Sequence, residues 1–149
     1  MDLDALYQDI ILDHARSPRR RAELTAADVA ADERNPTCGD SIRIALQLQG
    51  GRVETIRFDG HGCAISTASA SIMAEFAEGR DAVEVRRVIA VVIPWLRGEG
   101  PPPEGVLEEL LALGGVRQFP MRVKCATMCW HALDHALVRR MASASAGTA

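Results

Sequence analysis

Three cysteines stand where the chain turns rather than along an apolar stripe. Cys38 lies in Asn35-Pro36-Thr37-Cys38-Gly39-Asp40, just ahead of an alternating strand pattern; Cys63 closes the glycine-rich run Gly60-His61-Gly62; Cys125 falls in the first turns of the last helical pattern. A helix N-terminus favours the thiolate form of a nearby thiol, and thiolates are both metal ligands and nucleophiles. A single cysteine of this kind is ordinarily a small buried hydrophobe. Three on glycine-flanked junctions fit that reading poorly. The spacings are not the short C-x-x-C pairs of a zinc ribbon, so convergence has to come from the fold. If the three sulfurs do meet, they and the Asp40 carboxylate form a tetrahedral set suited to zinc. Cys38 and Asp40, two apart on an extended segment, point to the same side. A carboxylate among thiolates is a harder, more exchangeable ligand than a fourth sulfur. With Gly39 between them, such a site can open and release a thiolate, which is a chemical role rather than a purely structural one.

The elements that must position these residues follow from periodicity. Leu3, Leu6, Tyr7, Ile10 and His14 have helical spacing, with Asp2 as N-cap and Ser17-Pro18 as the stop. The basic cluster of Arg16 and Arg19 to Arg21 reads as a solvated turn, with a docking patch for an acidic partner as the sharper alternative. Val29 to Asn35 predicts a short edge strand. Ile42, Ile44, Leu46 and Leu48 alternate with polar or small residues, Gly50-Gly51 supplies a two-residue hairpin turn, and Val53 to Phe58 returns. Val53 is out of phase with Ile56 and Phe58, so a bulge is expected near Glu54-Thr55. Gly60 to Cys63 should break the strand. Ala64 to Glu78 predicts a helix capped by Gly79. A second helix opens at Asp81 and is disturbed at Pro94. A short helix follows from Pro103 or Glu104 to Leu113, with Leu107, Leu110 and Leu111 inward and Gly114-Gly115 as its end. Pro120 opens a long last helix whose apolar stripe is Val123, Ala126, Trp130, Leu133 and Leu137. The fold class is therefore α+β: a small antiparallel sheet of about three strands with helices packed on one face, in a single domain over 1–149 whose tail, Ala142 to Ala149, frays.

Composition narrows the function. The chain has 149 residues, 48% hydrophobic and 25% charged, with net charge −3 and 4% aromatics. An acidic chain with few aromatics lacks the basic field and the stacking platforms of a nucleic-acid binder. The longest apolar run, Val88 to Leu96, is about half of the ~20 residues a membrane span needs. The acidic start, Met1-Asp-Leu-Asp, is unlike a signal peptide, so the expected setting is the cytoplasm, where thiols stay reduced. Lys124 is the only lysine and directly precedes Cys125.

The motifs Asn35-Pro-Thr-Cys-Gly-Asp40, Gly60-His-Gly-Cys-Ala-Ile-Ser66 and Arg122-Val-Lys-Cys-Ala-Thr127 with Trp130, taken in order, resemble the U-type (IscU/SufU/NifU-like) iron–sulfur cluster assembly proteins, over nearly the whole chain. The likeness is nearest to the SufU branch. IscU-like proteins carry histidine before the third cysteine, where this chain has Lys124, and SufU-like proteins carry an extra stretch that Val91 to Gly114 matches. The resemblance implies a zinc-dependent sulfurtransferase that accepts persulfide sulfur from a SufS-type cysteine desulfurase, a pyridoxal phosphate enzyme, and serves downstream iron–sulfur assembly machinery. By motif position, Cys38, Asp40, Cys63 and Cys125 would be the Zn2+ ligands. Cys38 would be the sulfur acceptor, freed when a partner residue displaces it from zinc, and Arg122 would be a catalytic-site cation. The alternative is a scaffold building a 2Fe–2S cluster on the same ligands. A third possibility is a zinc-stabilised interaction module without chemistry.

Cys129 departs from the family pattern. It sits one turn after Cys125 and reads as a buried small hydrophobe, with a resolving thiol or spare ligand as the alternatives. His61 is expected on a mobile loop, His14 as a cap of the first helix, and His131 with His135 as members of a polar helix face rather than as a metal pair.

Overall fold

The computed structural model describes residues 3–23, 25, 27–35 and 39–147, with the backbone alone of 3–6 and 143–147. The elements run α1 (Leu3–Arg16), β1 (Val29–Asn35), β2 (Asp40–Gln49), β3 (Arg52–His61), α2 (Ala64–Ala77), α3 (Ala82–Leu96), α4 (Glu108–Ala112), a 3-10 segment (Leu113–Gln118) and α5 (Pro120–Gly147). The expected N-cap, Asp2, lies outside the described residues.

The three strands pair antiparallel in the order β1-β2-β3. Alternation sets which side chains go inward. Val29, Leu46 and Ile56 sit across from one another, as do Ala31, Ile44 and Phe58, and all six are buried. Gly50 and Gly51 turn the hairpin with φ +61 and +79, the conformation that a two-residue turn of this hand demands. The expected bulge is present: Gln47 pairs with Thr55 and Leu48 with Val53, leaving Glu54 unopposed. That extra residue returns Val53 to the inner face, where it is fully buried. Beyond Phe58 the strand does not break as expected. It continues through Gly60 to His61, which is registered opposite Ser41.

Helices cover the inner face. α2, built from Ala, Ser, Ile, Met and Phe, is buried along most of its length, because small side chains let neighbouring elements approach closely. α5 lies across β1 and β2 and against α2 and α3. Its Trp130 is fully buried, tilted at 46° to the Phe76 ring with centroids 6.1 Å apart, and its indole N–H donates to Ser69 Oγ at 3.1 Å. Asp81 caps α3 as expected, accepting from the amides of Val83 and Glu84. Pro94 does not end that helix, which runs on to Leu96.

Two boundaries correct the sequence expectations. The short helix begins at Glu108 rather than Pro103 or Glu104, because Gly105 adopts φ +69 and interrupts a right-handed helix. Leu107 is accordingly exposed rather than inward. Gly114-Gly115 does not end the segment either. The chain tightens into the 3-10 turn and passes over Trp95, where a Cβ on Gly114 would lie 2.7 Å from the indole ring. At the far end, α5 continues to Gly147. Alanine, the best helix former, recurs through it.

Candidate metal centre

One end of the sheet gathers the chemistry. Asp40 is the first residue of β2 and is paired with Asn35, the last residue of β1. The Gly39 amide donates to the Asn35 carbonyl at 2.9 Å, and Gly39 takes φ +77. Cys38, between them in sequence, lies outside the described residues.

At the other side of the same end, β3 hands over to α2. Gly60 has φ +145, and a Cβ there would stand 2.2 Å from the Ser41 carbonyl oxygen; one on Gly62 would stand 2.0 Å from Ser66 Oγ. Both positions therefore require glycine for close approach. His61, expected on a mobile loop, is held in the strand ladder instead. Cys63 is the N-cap residue of α2, with extended backbone (φ −72, ψ 174). Its carbonyl accepts from the Thr67 amide and from the Ser66 hydroxyl, each at 3.0 Å. The cap carbonyl is thus occupied while the thiol is left for the site.

Cys125 arrives from the first turns of α5 and is 1% exposed. A carboxylate oxygen of Asp40 and the sulfurs of Cys63 and Cys125 all lie within 4.8 Å of one another. The Cys63 thiol is 3.8 Å from Asp40 Oδ2. Asp40 itself is only 5% exposed, and among the described residues no cationic side chain pairs with it. Burying an unpaired carboxylate is costly. A cation seated between this oxygen and two thiolates would remove the cost, and an oxygen-plus-sulfur donor set suits zinc. The donors present therefore fit a metal ion.

The remaining sequence candidates fall outside this corner. Arg122 is exposed on the first turn of α5, its amide donating to the Phe119 carbonyl at 2.8 Å. Cys129 is 1% exposed, with its sulfur 3.4 Å from Ser69 Oγ. Burial pushes its thiol up to about 12, a rise the Ser69 hydroxyl only partly offsets, so it is the small buried group the sequence suggests. His131 and His135 do not act as a pair. His131 Nε2 is 3.5 Å from the Arg97 guanidinium, whereas His135 Nδ1 is 2.6 Å from Glu33.

His14 does not cap α1. It is buried, with Nδ1 2.7 Å from Ser71 Oγ and Nε2 3.3 Å from Glu109 Oε2. It thus ties α1 to α2 and α4. The arginines after α1 are engaged within the molecule rather than forming a free docking patch. Arg19 pairs with Asp13 and Glu75, Arg20 with Glu78, and Arg21 with Asp59. Sequence reasoning missed the grouping of His14, Glu75 and Glu109, which also meet within 4.8 Å. No local spacing announces it, since the three residues come from three separate helices.

Comparison with known proteins gives this architecture its class. The chain belongs to the NifU-like N terminal domain family, whose pattern matches residues 6–126 and so includes Cys38, Cys63 and Cys125. It is thus a U-type iron–sulfur cluster assembly protein. Among relatives, it is 38% identical over 138 residues to the zinc-dependent sulfurtransferase SufU of Bacillus subtilis, covering 93% of each chain. It is 35% identical to the iron–sulfur cluster assembly scaffold protein IscU of Streptococcus pyogenes, over 92% of this chain and 86% of that one. The fold matches the crystal structure of an iron–sulfur cluster assembly scaffold protein for the SUF system from Fervidobacterium islandicum, with TM-score 0.82, 28% identity, and coverage of 89% of this chain and 97% of that chain. No helix among the described residues is long and apolar enough to cross a membrane.

Proposed function

We propose that this protein is a zinc-dependent sulfur acceptor that takes persulfide sulfur from a SufS-type cysteine desulfurase onto Cys38, in the cytoplasm, for iron–sulfur cluster assembly. The observation that carries the reading is the buried Asp40 carboxylate, without a cationic partner among the described residues, facing the thiols of Cys63 and Cys125. Those three residues, with Cys38 as the fourth by motif position, would hold the ion. Bound zinc would keep the thiols ionised and protected from oxidation.

The chain's own part is to deliver the Cys38 thiolate. The sulfur of Cys38 attacks the outer sulfur of the desulfurase persulfide. The new S–S bond forms on Cys38 as the old one breaks, and the desulfurase cysteine leaves as thiolate, with no net oxidation or reduction. Asp40 would offer the same ion an exchangeable oxygen, so that the set would not be closed by four strong ligands. Arg122, exposed on the first turn of α5 and three residues before Cys125, is assigned the catalytic-site cation by motif position alone.

The test is persulfide trapping. The zinc-loaded protein, incubated without oxygen with the desulfurase and cysteine and then alkylated, should carry the extra sulfur on Cys38 by mass mapping. Cys38→Ala should fold yet abolish stimulation of the desulfurase. Normal stimulation by that variant would overturn the assignment. The second reading, a scaffold for a 2Fe–2S cluster, is favoured by the likeness to the IscU scaffold of Streptococcus pyogenes. Lys124, standing where IscU-like proteins carry histidine, weighs for the sulfur acceptor.

A further inference from the structure

On the outer side of α5 a groove of about 450 Å3 runs between the end of β1, the end of α3 and the first turns of α5. Its charge runs against that of the molecule. The chain carries net charge −3, yet Arg34, Arg97 and Lys124 all line this one groove. Among the described residues none of the three forms an ion pair, whereas Arg57, Arg80 and Arg86 are paired with Glu78, Glu84 and Asp134. Among the described residues, one acidic residue lines the groove, Glu33, and it is occupied by His135 at 2.6 Å. His131, on the wall beside Arg97, is held below its usual range, first by burial and then by that guanidinium. Val123 and Met128 give the groove an apolar side.

Three cations that no carboxylate neutralises among the described residues, around an apolar-sided depression, ask for an anion with a carbon body. Guanidinium groups match carboxylates as planar forks, and Lys124 adds a point charge. The volume is that of a small-molecule site rather than of a flat protein interface. We propose that this groove binds a small organic polycarboxylate, held by Arg34, Arg97 and Lys124. The inference needs only the groove and stands whether or not Cys38 accepts sulfur.

The probe is tricarballylate, a tricarboxylate, titrated into the full-length zinc-loaded protein while backbone amide resonances are followed. Zinc is counted before and after. Saturable shifts should cluster at residues 33–35, 97 and 123–131. Arg34→Ala and Arg97→Ala, at exposed positions that should not disturb folding, should each weaken binding by about three- to tenfold. The double charge reversal Arg34→Glu with Arg97→Glu should abolish it. Arg52→Ala, on the β2–β3 hairpin, should change nothing. The proposal is overturned if no saturable shift appears, if the double reversal binds as well as the unaltered chain, or if the shifts track loss of zinc. Binding of a glutamate decapeptide without binding of tricarballylate would also overturn it, in favour of an acidic protein segment as the occupant.

Discussion

Two corners of this molecule each bring three potential ligands within 4.8 Å, and only one has the chemistry of a metal centre. At the corner of His14, Glu75 and Glu109, the charges and hydrogen bonds are already spoken for. His14 meets Ser71 and Glu109, Arg19 reaches Glu75, and the Arg19 amide donates to the Ser71 hydroxyl at 2.8 Å. That corner is a brace joining α1, α2 and α4. At the corner of Asp40, Cys63 and Cys125, a buried carboxylate meets thiols and, among the described residues, no cation. Convergence of ligand types is thus a weak criterion alone. What distinguishes the two is whether the protein has already supplied the compensating charge, and whether the donors include soft sulfur.

The difference can be broken from either side. The largest effect is expected at the sulfur corner. Cys63→Ser or Cys125→Ser should lower zinc affinity by more than about 100-fold, beyond what loss of a group merely supporting a ligand costs, as read by competition with a chromogenic chelator. Cys129→Ser, one turn further along α5, should leave affinity unchanged. At the brace, His14→Ala should leave zinc stoichiometry untouched while costing about 1–3 kcal/mol of stability, a fall in Tm of roughly 3–10 °C. Zinc loss in that variant would erase the distinction. Gly60→Ala should destabilise by about 1–3 kcal/mol through strain at φ +145 and contact with Ser41, and should loosen the metal corner that the β3–α2 junction supports.

The effect confined to the narrowest range of conditions is a pH dependence in alkaline solution. Burial keeps the Cys129 thiol protonated in the folded chain to about 12, against 9.0 for an unperturbed thiol. Below pH 9 both states keep the proton and this contribution to stability is intact. Above it the unfolded chain releases its proton first, so stability falls as pH climbs from 9 toward 12, by at most about 1.4 kcal/mol per pH unit. Cys129→Ala should flatten that alkaline decline in a denaturant titration repeated across pH.

Much of this was legible before the fold was known, for physical reasons that differ by residue. The bulge at Glu54 followed from the phase of Val53 against Ile56 and Phe58, since a period-two pattern cannot otherwise bury all three. The turn at Gly50-Gly51 and the cap at Asp81 are local and were likewise readable. The start of α4 was not, because nothing in the sequence says that Gly105 will use its freedom to take positive φ. Nor could spacing show that Asp40, Cys63 and Cys125 would meet, since that depends on β2, β3, α2 and α5 ending at one place. The ordered motifs suggested it through the family likeness. The brace at His14 was hidden for the same reason, without a motif to betray it. His14 was expected to serve its own helix and instead serves two others.

The most direct test of the central claim is elemental analysis of the protein purified without oxygen, counting zinc, iron and acid-labile sulfide per chain alongside the Cys63→Ser variant. About one zinc per chain and no iron, lost in the variant, is the predicted result. Iron with matching sulfide would contradict the zinc assignment in favour of a cluster scaffold, and zinc retained in full by Cys63→Ser would contradict the placement of the metal centre at this corner.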